Sequence, residues 1–414
     1  MKTRLTPIAP TFSELRIAGA LRSHAREYQT DEAIPARLQT RKHRNRWSER
    51  GLSNQRRAPN PVRTQSAIAV SPRPADADGP HSPYTPTGPT NGDLQFGENV
   101  YFDTGVQASN AVHRSGMVLE FHKAQHNAGI WYHIGTVAGT RVIWERRQHS
   151  DTTGYRPAVA FSKEGYVIMV YSDRQDRRYS EQYYRVGQID PAGGVNQSIQ
   201  WLTDSIHWDR GYRTSIAIND QGVIVGVHED NRSSYRLHYR VGHLRYPAGG
   251  DFTIHWDSGD WGTEYEYGMS PRIALNNHNQ IVEVHQVTGK NLLQYRRGTV
   301  CEGKISFGNS RRYDDHASEP AVALLDSGLV VEIHSTLPGL YSRTGRFSHS
   351  NLDDIEWSAK NPIDDFNYIQ SPVVSTNGIY AVETHGADYF ETFNLDSSVV
   401  RISNSLQIGE NSPT

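Results

Sequence analysis

The sequence predicts an all-β fold: a β-propeller, most simply of six four-stranded blades, preceded by a disordered basic tail. Three observations predict it. From residue 94 onward the chain repeats itself about six times, with a period of about 50 residues. Each repeat holds four short segments rich in Val, Ile, Tyr and Trp, which Gly, Asn, Asp or Pro separate. No long segment of the repeats has helical periodicity. We therefore divide the chain into a tail, 1–93, and a β-propeller domain, 94–414.

The tail and the repeats carry opposite charges. Residues 1–80 hold 15 Lys or Arg against 7 Asp or Glu, whereas the rest of the chain holds 28 against 38. Apolar residues at helical spacing predict one short helix over 11–28, and a basic run follows over 41–46. The segment 59–89 is rich in Pro, Ser, Thr and Gly, so it buries too little apolar area to offset its ordering entropy and is expected to be a linker.

The basic run leaves three interpretations open. It binds nucleic acid or an anionic surface, it is an address for export or packing machinery within residues 1–80, or it is a solvated leader without a partner. Nucleic acid is the weakest of the three. Glu14 and Arg16 interrupt the apolar stretch that a secretory signal needs, and nothing approaches the roughly 18 consecutive apolar residues of a membrane span. Localisation stays open, with secretion or non-classical delivery as candidates.

Each repeat carries the same sequence marks. They read P-x-V-A, then G-x-V-V-E-V-H, then L-x-Y-R-V-G, then I-x-W, then Y-D-x-G. In the fifth repeat the predicted strands are 321–324, 329–334, 339–344 and 355–357. The glycine before the second strand recurs as Gly116, Gly165, Gly222, Gly328 and Gly378, with Asn279 in its place once.

The two ends of the repeat region resemble each other. Residues 94–99 read LQFGEN and residues 406–411 read LQIGEN, and both match the I-x-W position. We expect one of them to pair with the opposite terminus and to seal the ring, since closure removes open sheet edges. The sequence does not say which.

Strand alternation puts Glu and His of the E-V-H mark on one face. One interpretation is structural, with Glu and His pairing to the recurring Arg185, Arg240, Arg296 and Arg343 or to the backbone. The other is a ligand pocket in each repeat. The Y-D-x-G mark is interpreted as a tight turn that needs a positive φ at its glycine.

Aromatic residues divide between packing and ligand contact. Trp144, Trp201, Trp256 and Trp357 are expected to fill the space between blades, whereas Trp131, Trp261 and Tyr341 are expected to face a ligand. The candidate ligand-binding residues are therefore Glu120, His122, Trp131, His228, Tyr239, Trp261, Glu283, His285, Tyr295, Glu332, His334, Tyr341, Glu383 and His385.

The sequence gives no sign of a catalytic residue, a metal site or a cofactor. It lacks H-E-x-x-H, G-x-S-x-G, P-loop and G-x-G-x-x-G motifs, and its single cysteine, Cys301, excludes both an intrachain disulfide and a thiolate zinc cluster. We expect Cys301 to be a buried small side chain. A hydrolase that gathers acids at the channel stays possible, with Asp314/Asp315 and Asp364/Asp365 as its weak candidates.

The marks resemble those of bacterial repeat modules that occur alone or appended to secreted enzymes such as phospholipases. More loosely, the architecture is similar to propeller lectins. Met169 and Tyr171 of the second repeat depart from this pattern, as does 390–393 of the last. The resemblance implies a non-enzymatic, lectin-like module that binds glycans or another repetitive surface through several equivalent sites. The alternatives are a toxin-like secreted effector with an address tail, and a glycan-directed hydrolase.

Overall fold

The structure, a computed structural model, describes residues 94–402 except 195, 233–234, 246–252, 258, 260, 337–338, 349–350, 352, 365–368 and 390–391. The predicted tail helix, basic run and linker lie outside the described residues. Every helix or strand in the described part is a β-strand, which confirms the all-β prediction. No helix there is long and apolar enough to span a membrane.

Six small antiparallel sheets form a ring, so the protein is a six-bladed β-propeller. Strands follow one another outward in each sheet, from an innermost to an outermost position. The outermost strand is split into two segments, and both pair with the third strand. The predicted number of blades and the four strand positions per blade are confirmed.

The chain enters the ring through β1 (Leu94–Phe96) and β2 (Val100–Thr104). Blade 1 comprises β3 (Val106–Val112), β4 (Met117–Lys123), β5 (Gly129–Ala138), β6 (Arg141–Trp144) and β7 (Gln148–Thr153). Blade 2 comprises β8 (Tyr155–Phe161), β9 (Tyr166–Ser172), β10 (Glu181–Gln188), β11 (Gln200–Trp201) and β12 (Ile206–Arg210). Blade 3 comprises β13 (Tyr212–Ile218), β14 (Val223–Glu229), β15 (Arg236–Arg245), β16 (Thr253–Trp256) and β17 (Thr263–Tyr267).

The second half of the ring repeats this plan. Blade 4 comprises β18 (Met269–Leu275), β19 (Gln280–Gln286), β20 (Leu292–Cys301), β21 (Lys304–Phe307) and β22 (Arg311–Asp315). Blade 5 comprises β23 (Ala317–Leu324), β24 (Leu329–Thr336), β25 (Leu340–Phe347), β26 (Ile355–Trp357) and β27 (Asn361–Asp364). Blade 6 comprises β28 (Ile369–Thr376), β29 (Tyr380–Tyr389) and β30 (Thr392–Ile402).

The N-terminal strands complete blade 6 and seal the ring. β1 pairs with β30 in the register Leu94↔Ile402 to Phe96↔Val400, and β2 continues along the same edge of β30. Of the two similar segments at the ends of the repeat region, 94–99 therefore makes the closure. The other, 406–411, lies outside the described residues.

The apolar core is divided into six clusters, one between each pair of adjacent blades. Strand alternation sends successive side chains of the second strands to opposite sides, so each blade contributes to two clusters. As predicted, the aromatic residues of the I-x-W mark pack against these clusters, at Trp144, Trp201, Trp256 and Trp357.

The repeated glycine of the G-x-V-V mark serves the turn between the two inner strands. Its φ lies between +77° and +92° in five blades, and Asn279 takes its place at +56°. Asparagine tolerates this left-handed region better than most residues, which explains the exchange.

The prediction that Cys301 is buried is wrong, because this residue ends β20 beside an exposed turn and is itself exposed.

Candidate functional site

The recurring polar marks form one network across each of several blade interfaces. Between blades 3 and 4, His285 Nδ1 lies 3.0 Å from Glu283 Oε2, and the Tyr265 hydroxyl donates to Glu283 Oε1 over 3.0 Å. Arg296 donates to the Tyr265 carbonyl over 2.7 Å. The outermost strand of one blade is thereby joined to the second and third strands of the next.

The same network connects blades 4 and 5, with an added ion pair. Tyr313 donates to Glu332 over 2.8 Å, and Arg343 Nη2 lies 2.6 Å from Asp314 Oδ2. His334 Nε2 lies 3.4 Å from the same carboxylate oxygen. Burial and the Glu332 carboxylate raise the pKa of the Tyr313 hydroxyl well above 10.0, so the tyrosine stays a donor.

Most predicted ligand residues lie inside these interfaces. The side chains of the E-V-H mark are at most 1% exposed, at Glu120, His122, His228, Glu283, His285, Glu332, His334, Glu383 and His385. Tyr239 and Tyr295 are also buried, and burial with the Asp354 contact raises the pKa of Tyr295 to about 12. These contacts favour the structural interpretation. Ligand contact by these residues stays a prediction.

The glycine of the Y-D-x-G mark makes room for a histidine ring. A Cβ on Gly211 would lie 2.2 Å from His228 Cδ2, and one on Gly268 would lie 2.6 Å from His285 Cδ2. Neither glycine has a positive φ. The predicted reason for this glycine is therefore wrong. The Asp or Glu of the mark also lies within the outermost strand rather than in a turn.

The three predicted ligand-facing aromatics reach the surface or half-buried positions in three different blades. Trp261, 47% exposed, has the Arg210 guanidinium 4.3 Å from its ring centroid. Trp131 is half-buried, with the Arg147 guanidinium 4.9 Å from its ring. Tyr341 is half-buried beneath Lys360 Nζ at 5.4 Å. Because they lie in blades 1, 3 and 5, they do not form one site.

A second feature lies where the innermost strands begin, on the side of the ring that we call the entry face. Each innermost strand has a bulge near its start, and one residue there has a left-handed backbone. These six residues line the mouth of the central channel: Gln107 (φ +62°), Arg156 (+52°), Arg213 (+54°), Ser270 (+51°), Glu319 (+46°) and Ser371 (+45°).

None of the six is glycine, although the left-handed region costs other residues roughly 1–2 kcal/mol each. Strained residues of this kind cluster at functional sites, where a side chain is needed at that position. The backbone geometry therefore makes the mouth a candidate functional site.

The mouth is rich in arginine. Its described lining includes Arg156, Arg213 and Arg272 against one carboxylate, Glu319. Arg213 Nη1 lies 3.4 Å from Glu319 Oε1, and the Ser270 hydroxyl donates to the same oxygen over 3.2 Å. Burial acts to raise the pKa of Glu319, but the three arginines outweigh it and hold that pKa below its usual range.

The arginines stay cationic. Burial lowers the pKa of Arg272 to about 10, which still leaves it charged at neutral pH. A second carboxylate, Glu229, is fully buried behind the mouth, where it accepts from the Ser270 N–H over 2.8 Å and pairs with Arg177. Four arginines thus face two carboxylates, and the site keeps an excess of positive charge.

Residues 210–213 connect the mouth to the exposed tryptophan. They cross from β12 to β13, so Arg213 lies at the mouth while Arg210 lies against Trp261. Between them, the Tyr212 ring has the guanidinium of Arg156 4.7 Å from its centroid. We call Arg156, Arg210, Tyr212, Arg213 and Trp261 the arginine–aromatic strip.

The acids proposed for a channel hydrolase lie elsewhere. Asp314 and Asp315 belong to β22 and Asp364 ends β27, both segments of outermost strands, so these residues do not line the channel. Asp365 lies outside the described residues.

Sequence reasoning missed the mouth, although the repeats hold a signal for it. In the P-x-V-A mark, the residue before the proline position changes between blades, as in Arg156, Ser270 and Glu319, while a proline follows it in four of the six blades. A position near the axis faces its counterparts in the other blades, so it has reason to vary in this way.

No family model matches the sequence, and no curated protein matches it. Among solved structures, a protein of unknown function from Dyadobacter fermentans gives a TM-score of 0.52 at 9% identity, covering 75% of this chain and 100% of that one. A Trypanosoma rangeli sialidase with the inhibitor DANA gives 0.49 at 12%, covering 74% and 56%, so this chain spans about half its length. A Penicillium chrysogenum α-L-arabinanase with arabinobiose gives 0.49 at 13%, covering 74% and 98%. At these identities the likeness to the Dyadobacter protein is one of fold.

Proposed function

We propose that this protein is a non-enzymatic binding module for acidic saccharides, with its main site on the entry face. The arginines of the mouth take carboxylate or sulfate groups, and the arginine–aromatic strip contacts the sugar rings. The observation that carries the proposal is the mouth itself, where six strained non-glycine residues include two of the three arginines that face a single glutamate.

The chemistry of the strip suits such a ligand. Guanidinium groups bind planar anions through two parallel hydrogen bonds, which favours carboxylate and sulfate over neutral groups. Trp261 offers an exposed aromatic surface, and Glu181 with His207, 2.7 Å apart, offers hydrogen-bonding groups close to it. A charged group at the mouth and a ring over the tryptophan would then be held together.

The acids of the mouth favour binding over hydrolysis. A general acid for glycoside cleavage needs a raised pKa, so that it carries a proton at neutral pH. The pKa of Glu319 is lowered instead, and Glu229 is fully buried and paired with arginine. Both groups are better suited to orient the arginines than to donate protons.

Half-buried residues of the third strands favour one main site over several equivalent ones. Third-strand residues at one equivalent position, opposite the histidine of the E-V-H mark, are Trp131, Tyr183, His238, Gln294 and Tyr341 in blades 1 to 5. The buried histidine of the E-V-H mark recurs in five blades, whereas the residue at the opposite position is Trp, Tyr, His or Gln in blades 1 to 5. We therefore expect about one bound ligand per chain. The prediction of several equivalent sites instead gives more than one ligand per chain in the same titration.

A glycan array with matched neutral and acidic oligosaccharides tests the proposal, followed by calorimetry on the full chain. We expect acidic glycans alone to bind, with affinity that falls as salt rises. Arg213→Gln should weaken binding by about 10-fold or more, because a charge-assisted contact is lost. Arg245→Gln is the matched control, since this exposed arginine ends β15 on the opposite face.

Three results would contradict the proposal. If no glycan on the array binds, the ligand is not a saccharide. Equal losses of affinity in Arg213→Gln and Arg245→Gln would show that the mouth is not the binding site. Release of cleaved product from a bound glycan would replace a binding module with a hydrolase.

A further inference from the structure

The interface of blades 6 and 1 differs at its polar centre from those between blades 3 and 4 and between blades 4 and 5. Arg240, Arg296 and Arg343 occupy one position of the third strand in blades 3 to 5, opposite the second-strand Glu or its substitute. In blade 1 that position is His133, opposite Glu120. Where the interfaces of blades 3 and 4 and of blades 4 and 5 place a guanidinium near the acid of the preceding outermost strand, this interface places a second imidazole.

The exchange brings two imidazoles and one carboxylate together. His133 Nε2 lies 2.9 Å and His122 Nε2 lies 3.6 Å from Asp103 Oδ2, and all the candidate ligand atoms lie within 4.8 Å of one another. The side chains of His122, His133 and Asp103 are 0%, 5% and 12% exposed. The group is therefore a buried His–Asp–His cluster at the interface of blades 6 and 1.

The outer nitrogens of both rings are already engaged. His122 Nδ1 lies 3.0 Å from Glu120 Oε2, and His133 Nδ1 lies 2.8 Å from the Glu145 carbonyl oxygen. Both partners are acceptors, so each ring donates from Nδ1 and turns its Nε2 inward. Both Nε2 atoms then face the Asp103 carboxylate. His133 Nε2 is hydrogen-bonded to Asp103 Oδ2 over 2.9 Å, and a metal ion would take the place of the proton held there. His122 Nε2 is buried without a hydrogen-bond partner among the described residues.

We propose that Asp103, His122 and His133 bind a divalent transition-metal ion of the Zn²⁺ class. Imidazole and carboxylate are ligands for such ions, and three protein ligands are common in zinc sites. Ligand atoms around tetrahedral zinc lie about 3.3 Å apart for the usual bond lengths. The two measured separations, 2.9 and 3.6 Å, bracket this value.

The surroundings match those of metal sites in three respects. Each histidine donates its other ring N–H to a carboxylate or carbonyl, as metal-ligating histidines do. The remaining Asp103 oxygen accepts from the Thr104 N–H over 2.7 Å and from Arg147 Nη1 over 3.3 Å. Phe102 lies edge-on to the His133 ring at 5.4 Å and stacks on Trp144 at 4.7 Å, which makes an apolar wall beside the site.

Titration of the chelator-treated full chain with Zn²⁺ tests the site, by calorimetry and by competition with a chromogenic chelator. We expect one tight zinc ion per chain and a higher thermal unfolding midpoint when zinc is present. Co²⁺ in its place should give the visible absorption of a tetrahedral nitrogen–oxygen site. If the wild-type chain does not bind zinc tightly, the proposal is overturned. The cluster would then be held together by a shared proton instead of a metal ion.

The decisive variant is His133→Arg, because it installs the residue that blades 3 to 5 carry and should therefore fold. It should weaken zinc binding by at least about 100-fold and abolish the zinc-dependent rise in the unfolding midpoint. His133→Gln provides the same test if the arginine variant fails to fold. Undiminished binding in a folded variant would overturn the proposal.

The matched control is His255→Ala. His255 and His243 lie 3.7 and 3.0 Å from Asp257 in a partly exposed cluster, which is the competing place for weak surface zinc. Tight zinc binding should be unchanged in this variant. Loss of tight binding would show that the zinc ion binds the surface cluster, and it would overturn the assignment to Asp103.

Discussion

At the scale of the residue, neighbours decide whether a buried histidine of the repeats holds a proton. Burial lowers the pKa of His228 to about 4, and His238 and Arg240 act in the same direction. Gly226 stands here where blades 1, 4, 5 and 6 have the glutamate. Burial acts in the same direction on His285, but Glu283 outweighs it and raises that pKa above 6.5. Gly226 is itself explained by Trp208 of the preceding blade, whose ring would lie 2.7 Å from a Cβ there.

His228 should destabilise the fold in mild acid. The unfolded chain takes up a proton near pH 6.5, whereas the folded chain does not until about pH 4, so stability falls as the pH drops through this window. The free energy of unfolding should fall by about 3 kcal/mol across the whole window. His228→Tyr, which copies Tyr171 of blade 2, should flatten the urea-unfolding free energy between these pH values.

His285→Tyr is the control with the opposite sign. Since the folded pKa of His285 is raised, its contribution is present below pH 6.5 and fades as the pH rises through that folded value. An unchanged acid slope in His228→Tyr would show that His228 is not neutral in the folded protein.

The sequence predicted which residues recur but not what they contact. The E-V-H mark is evident in the repeats, yet its alternation does not distinguish a buried interface from a pocket. The His–Asp–His cluster was missed because its ligands come from three strands, β2, β4 and β5, with unrelated spacing. In the sequence, the cluster is marked by His133, which stands where the third to fifth repeats have an arginine.

At the scale of the element, the bulge at the start of each innermost strand turns one side chain toward the axis. Ser371→Gly should raise the free energy of unfolding by up to about 1 kcal/mol, because glycine adopts a positive φ without strain. The measurement is the urea midpoint.

Ser375→Gly in the same strand is the matched control. Its backbone is ordinary β, so added chain entropy should lower stability by about 0.5–1 kcal/mol. Equal losses in the two variants would mean that Ser371 is not strained. A gain at Ser371 would support the view that the mouth residues are kept for binding rather than for stability.

Strand positions were predicted well and strand extents less well. The innermost strand of blade 5 begins at Ala317 rather than Ala321, because the bulge between Ser318 and Ala321 lets pairing continue beyond the apolar run. The second outermost segment was interpreted as a turn. Segments such as β22, with five residues, are too short to show clear alternation.

At the scale of the whole molecule, stability depends on closure by β1. Leu94 and Phe96 pack against the cluster between blades 5 and 6. Phe96→Asp should lower the free energy of unfolding by about 2–4 kcal/mol, since an apolar contact is lost and a charge is partly buried. Urea unfolding and limited proteolysis measure it.

Ile143→Asp on β6 is the control, because this side chain is 49% exposed on an equivalent segment. It should change stability by less than about 0.5 kcal/mol. A small effect at Phe96 as well would mean that β1 does not hold the ring together.

The number of blades followed from the period, because each blade is one repeat. The residues that line the channel mouth could not be predicted from the period, because distance along the chain carries no information on distance from the axis. Arg156 and Glu319 are far apart in sequence and meet only because six inner strands converge.

The closing seam also sets how the ring bears force. β1 and β2 run antiparallel to β30, with Leu94 beside Ile402, so a pull that separates these two residues loads the first hydrogen bonds before the rest. Bonds loaded in sequence break one at a time, like a zip, whereas bonds loaded side by side share the tension. Traction between the two termini should therefore peel blade 6 open at low force while the five covalently continuous blades keep their sheets.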